Sequence, residues 1–405
     1  MPRDVTHVIL ADETAEVIQS NEVFDNLNAF HMGCVTDDSF LYTASPLLST
    51  RLHGGLGDDT RVIVLEMLDY MQKEKNPERR AEQKAFICGY LCHMAADLTF
   101  HPFIYSISGS QVKSNNFSMK DVKLSKACHR YAETWLDLHL MREKNKSFKN
   151  FRPFRKIVNS VAMRLRLDDF FTDCYQSALK AKKYTWGDNF DLQAQFHNGM
   201  TRQLFVDKIT QNQTVASVLR KFDRVLSGKL ELYTSGFYDF DENVPQRLMA
   251  DSFVHPVTGE VVKKSIKDLE KEAVDCSVKF IQAAEAYIKS GDREAFLEAV
   301  PNVNLDTGIE NTKLQDIRRR VTFEDLKSVK SRRFFVDDAA ILQVNNETKM
   351  KCAVIRRIMK KTWNKILKSI QKSKAVELIR DDKRTMTNEV KKATVTVNKT
   401  LGAEK

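Results

Sequence analysis

Residues 85–105 read AFICGYLCHMAADLTFHPFIY, apolar on almost every side, with His93, Asp97 and His101 spaced four residues apart inside the run. A helix that is hydrophobic all round belongs in an interior. At 3.6 residues per turn the three polar side chains leave it on about the same side. Burial makes Asp97 expensive, because an ionised carboxylate in an apolar interior must be paired or must coordinate a metal. The next helical stretch, CHRYAETWLDLHL at 128–140, repeats the pattern with His129 and Glu133 four apart and Asp137 one turn further. Imidazole and carboxylate at i and i+4 bring two side chains to one zinc ion. His93 and His101 are eight residues apart, about 12 Å along the axis, too far to share one zinc with bonds of about 2 Å. More than one ion is therefore expected, with Asp97 between them as a bridge.

Outward from this stretch, most of the chain reads as helix. Helical periodicity predicts helices at 4–19, 62–75, 80–101, 119–144, 153–182, 189–226, 263–290 and 349–380. Of 405 residues 42% are hydrophobic and 29% charged, a globular balance, while Gly and Pro total only 22. That is about 5% against an average near 12%, which argues against a many-stranded sandwich or barrel. The fold class expected is all-α. Seven cysteines, an odd number without framework spacing, and no legible secretory leader point to a reducing, cytoplasmic setting. No window holds the 18 or so apolar residues of a membrane span.

The net charge of +10 is uneven. Residues 349–405 hold 17 Lys and Arg against five Asp and Glu, so residues 1–348 are slightly acidic. Ile355, Met359, Trp363, Ile366 and Ile370 form an apolar stripe flanked by Lys360, Lys361, Lys365, Lys368 and Lys372. Such a helix either packs on the rest of the protein with its basic face solvated or lies on an anionic membrane surface, and nucleic acid is the lesser alternative.

Further ligand types sit outside the two helices. His7 lies in THVILADE, Asp37 and Asp38 in FHMGCVTDDSFLY, and His53 in RLHGGLGDDT, whose glycines allow a sharp bend. His31, His139, His197 and His255 are read as ordinary histidines, and Cys88 and Cys92 as packing residues. No phosphate-loop pattern occurs.

These segments, in this order and near this spacing, resemble the zinc-dependent phospholipase C family. DSFVHPVTGEVVKKSIKDLEKEA at 251–273 and NLDTGI at 304–309 extend the resemblance over residues 1–310. It implies a helical catalytic domain holding two to three zinc ions through His7, Asp38, His53, His93, Asp97, His101, His129 and Glu133. Asp37 stands where the family's loop has Pro, and spacing favours Asp38 as the functional carboxylate. In this reading Asp97 bridges ions, His101, His129 and Glu133 hold one, His53 and His93 hold another, and Asp38 orients or deprotonates the attacking water. The expected organisation is a catalytic domain at 1–310, a connecting segment at 311–348 and a basic helix with a polar tail at 349–405. The expected activity is phospholipase C-type cleavage of phospholipid head groups. The alternatives are a single-strand-specific zinc nuclease, which resembles the same fold, and a non-catalytic membrane- or partner-binding protein on the same scaffold.

Overall fold

The structure is a computed structural model that describes residues 3–318, apart from 44, 112–118, 149, 152–156, 158–159, 182–183, 185–189, 213, 216–237 and 239–248. The chain divides into two units, residues 1–335 and 336–405, and every described element belongs to the first. The expected basic helix at 349–380, the tail and most of the connecting segment 311–348 lie outside the described residues.

The first unit is mostly helical. Its helices are α1 (Asp4–Ile18), α2 (Asn21–Asp25), α3 (Leu27–Val35), α4 (Leu47–Leu52), α5 (Arg61–Lys73), α6 (Pro77–Ser108), α7 (Met119–Glu143), α8 (Val161–Ala181), α9 (Leu192–Thr210), α10 (Ile266–Ser290) and α11 (Arg293–Ala299). A short 3-10 helix, Asp37–Tyr42, joins α3 to α4. Among the described residues there are also two antiparallel pairs, β1 (Phe253–Val254) with β2 (Val261–Val262) and β3 (Val303–Asn304) with β4 (Ile309–Glu310), and a 3-10 turn at Leu314–Asp316.

Local chemistry sets the boundaries of α6. Asn76 accepts from the backbone N–H groups of Glu78 and Arg79, Pro77 supplies a first residue that needs no donor, and Gly109 closes the far end. The helix runs beyond the expected 101 through Pro102 to Ser108. Proline deprives the Leu98 carbonyl of its helical partner. At the same place Gly308, with φ of 70°, packs so closely that a Cβ would lie 3.0 Å from the Pro102 ring and 3.1 Å from the Leu98 oxygen. Helix α10 carries a capping box between Ser265 and Asp268 and ends at Gly291 in the left-handed region.

The core is in two parts, and α6 passes through both. Its residues Ala85 to Ala95 pack with α3, α5 and α8, where Phe30, Phe86, Tyr90 and Phe171 are fully buried. Its residues Ala96 to Ile107 pack with α1 and α7, against Leu10, Ala132 and Leu136. Asp97 sits at the seam.

Candidate metal centre

The approach of α3 to α6 is what brings the first ligands to the seam. A Cβ at Gly33 would lie 2.0 Å from the Phe86 carbonyl oxygen, and one at Gly89 would lie 1.9 Å from that of Phe30. Only glycine at both positions lets the two backbones touch. The contact carries the Cys34 carbonyl to 2.8 Å from His93 Nδ1 and sets Asp37 and Asp38, just past the end of α3, against α6. His53 stands at the end of α4. Gly54 and Gly57, with φ of 73° and 88°, turn the chain away behind it.

All eight sequence-predicted ligands, His7, Asp38, His53, His93, Asp97, His101, His129 and Glu133, are buried, and so is Asp37. Asp97 is the hub. Its Oδ2 lies 2.9 Å from His53 Nε2 and 3.2 Å from His93 Nε2, and its Oδ1 lies 3.3 Å from His7 Nε2 and 3.7 Å from His101 Nε2. The donor atoms fall into three groups, each within 4.8 Å: His7, His93 and Asp97; Asp37, His53 and His93; and His101, His129 and Glu133. Glu133 Oε1 is 3.0 Å from His129 Nε2. Asp38 Oδ1 is 3.7 Å from His53 Nε2 but belongs to none of the groups, whereas Asp37 does.

The outer nitrogens fix which ring edge faces inward. His53 Nδ1 is 2.6 Å from the Ser49 carbonyl, His93 Nδ1 2.8 Å from that of Cys34 and His101 Nδ1 2.8 Å from that of Leu305. A carbonyl oxygen only accepts, so each Nδ1 donates and each Nε2 is left with a lone pair in the neutral ring. His129 Nδ1 meets Ser108 Oγ at 2.9 Å. Metal-binding histidines are held in this way.

Two observations bear on whether a metal fits. The Nε2 atoms of His53 and His93 face each other at 3.3 Å. Two neutral imidazoles cannot both present lone pairs at that distance without a proton or a cation between them. Buried polar atoms also go without a hydrogen bond: both nitrogens of His7, both oxygens of Asp37 and of Asp97, Asp38 Oδ1 and His101 Nε2. Unpartnered buried groups in such a cluster call for an ion. Imidazole and carboxylate without thiolate is a donor set that suits zinc.

The charges of the cluster's own side chains follow the same geometry. Burial opposes charge on His53 and His93, but Asp97 outweighs it and pushes both up to about 9. Burial brings His7 down to about 4 and holds His101 well below its ordinary value. Burial also works against ionisation of Asp97, yet His101 and His93 keep its carboxyl well below the usual carboxylate range. Burial pushes Asp37 up although His93 and His53 partly offset it, and burial with the neighbouring Asp97 pushes Asp38 well up against the pull of His53.

Asp137, one turn beyond Glu133, does not join the cluster. It accepts from the Thr6 backbone N–H at 2.9 Å, the Thr6 hydroxyl at 2.7 Å and the Tyr238 hydroxyl at 2.6 Å, and so caps the start of α1 from a neighbouring helix. That capping sets the helix bearing His7 against the helix bearing Glu133. Leu305, Ser49, Cys34 and Ser108 carried no signal in the sequence, since three of them act through their backbone. Asp306 accepts from Tyr105 at 3.2 Å and lies 3.6 Å from His101 Nδ1. It was legible only as part of the NLDTGI resemblance.

Residues 6–187 match the zinc-dependent phospholipase C family. Every histidine and carboxylate of the three groups falls inside that segment, so the family match and the buried donors coincide. The matched segment ends before β1, and the elements from 253 onward lie outside it. No curated protein and no solved structure matches the chain. Among the described residues no helix is long and apolar enough to cross a membrane.

Proposed function

We propose that this protein is a zinc-dependent phosphodiester hydrolase that cleaves phospholipid head groups in the manner of phospholipase C. The observation that carries the reading is the convergence on Asp97 of four imidazole Nε2 atoms, within 2.9 to 3.7 Å, in a segment matching a zinc phospholipase C family. His101, His129 and Glu133 would hold one ion, and His53, His93, Asp37, Asp97 and His7 the remainder. Bound zinc would supply Lewis acidity toward the phosphodiester and toward water. The protein's own groups do the rest. The Nδ1 contacts hold each ring in place before substrate arrives, so no reorientation is needed when charge develops. Asp37 completes the ligand set on geometry. Asp38, with Oδ1 unpartnered beside His53, is assigned to orient the attacking water and accept its proton. The basic segment 349–380 would add affinity for anionic membrane.

Elemental analysis of purified protein should give two to three zinc ions per chain. Phosphatidylcholine vesicles and single-stranded DNA, assayed in parallel, should show release of the phosphorylated head group and an intact strand. Cleavage of DNA alone would replace this reading with that of a zinc nuclease, and protein that takes up no zinc would end both. Deleting residues 349–405 should weaken binding to anionic vesicles.

A further inference from the structure

The β3–β4 turn lies outside the matched segment, 170 residues beyond Glu133, the last of the candidate ligands, yet it touches the cluster at several points. The Leu305 carbonyl receives the Nδ1 proton of His101 at 2.8 Å, and the Leu305 N–H donates to the His53 carbonyl at 2.9 Å. One residue therefore ties down two histidines that belong to different donor groups. Asp306 follows it, buried, with its N–H bonded to Asn304 Oδ1 at 2.8 Å and its Oδ1 receiving the Tyr105 hydroxyl at 3.2 Å. Tyr105 stands one turn beyond His101 on α6, and its ring packs against both His101 and His129. Asp306 Oδ1 is 3.6 Å from His101 Nδ1, too far to take that proton itself. Gly308 then packs on Pro102 and on the Leu98 carbonyl that the proline leaves without a helical donor.

We propose that Asp306 is a positioning residue: anchored to Tyr105, it holds the Leu305 carbonyl on His101 Nδ1 and thereby turns His101 Nε2 toward Glu133 and His129. The inference rests on the metal-centre reading above. Its physical basis is that outer partners of ligating histidines fix the ring tautomer and direction, and their loss typically weakens metal binding about 10- to 100-fold. Asp306 touches neither substrate nor reacting atoms in this account, and it acts through the main chain of its neighbour.

Two measurements on the full chain test it: competition titration with zinc, and proton NMR of histidine-labelled protein, in which the hydrogen-bonded Nδ1–H of His101 gives a slowly exchanging downfield signal. D306A should weaken zinc binding at one site about 10- to 100-fold and abolish that signal, at unchanged helical content. D306N keeps an oxygen that accepts from Tyr105 and should stay close to the parent in both readouts. Y105F should fall between them. Retention of signal and affinity in D306A would overturn the proposal, as would D306N falling as far as D306A, which would point to charge rather than position. The NMR signal needs no zinc. Parent protein that shows the signal but takes up no metal would therefore count against the metal centre, and D306A that keeps the signal would count against Asp306.

Discussion

The two halves of α6 hold their ligands by different means. On the N-terminal side of Asp97, His93 is fixed by the Cys34 carbonyl through the glycine contact between α3 and α6, and His53 by Ser49, one helical turn back in its own segment. On the C-terminal side, His129 depends on Ser108, the last residue of α6, and His101 on Leu305, 204 residues further along the chain. The first half is held chiefly by close main-chain contact between neighbouring helices, with one added bond from the Leu305 N–H to the His53 carbonyl. The second is clipped from a distant turn, and a distant turn can open without unfolding the core. Disturbance of the second should therefore show as weakened metal binding before it shows as lost fold.

Gly89→Ala attacks the first half at its contact. The new Cβ would collide with the Phe30 carbonyl, so a loss of more than about 3 kcal/mol is expected in denaturant melts, with zinc lost from every site. A Gly89→Ala variant of parent stability would show that the helices have room to part. Asp97→Asn and His129→Ala separate the halves. His129→Ala should lose one zinc equivalent and leave the His53 and His93 side loaded, whereas Asp97→Asn should disturb both, and hydrolysis should fall at least about 100-fold in each. Equal stoichiometry in the two variants would erase the distinction between the halves.

Within the first half, Asp37 and Asp38 divide the work. Asp37→Asn should lower zinc content, while Asp38→Asn should keep the metal and lose about 10²- to 10⁴-fold in turnover, the usual range for a general base. The reverse result would exchange their roles. The smallest effect concerns Asp4, on the same helix as His7 but outside both halves. Burial and the nearby Asp207 push its carboxyl up to about 7, from 3.8 in an unfolded chain. A pKa raised by folding favours the protonated form in the native state, so its contribution is fully present below pH 4 and is lost as pH rises toward 7. Asp4→Asn should therefore raise the melting temperature by about a few degrees at pH 8 and by less at pH 5. The same gain at both values would show that the group does not titrate in this range.

The long helices were legible because their periodicity runs over many turns and because Gly and Pro are scarce. Helices α2, α3 and α4 and the 3-10 segment, all between 21 and 52, were not, since pieces of five to nine residues carry too few periods. Two-residue strands likewise have no alternation to read. Helix α8 runs from Val161, with 153–156 and 158–159 of its expected span outside the described residues, and α9 ends at Thr210, with 216–226 of its expected span likewise outside them. In the candidate site, side chains at i and i+4 announced His93, Asp97, His101, His129 and Glu133. The carbonyls that orient them could not be announced, because every residue has one and only the fold selects which is used. Asp137 shows the opposite error of spacing: it continues the i+4 series, but Thr6 and Tyr238 claim it first.

The crossing at Gly33 and Gly89 has a consequence for ion choice. With no side chain between the helices at this crossing, no rotamer there can change how far apart α3 and α6 stand, so the spacing of Asp37 from His93 and Asp97 is set largely by main chain. Calcium takes six to eight oxygens at about 2.3–2.6 Å, and a rigidly spaced donor set of five imidazoles and three carboxylates discriminates against it.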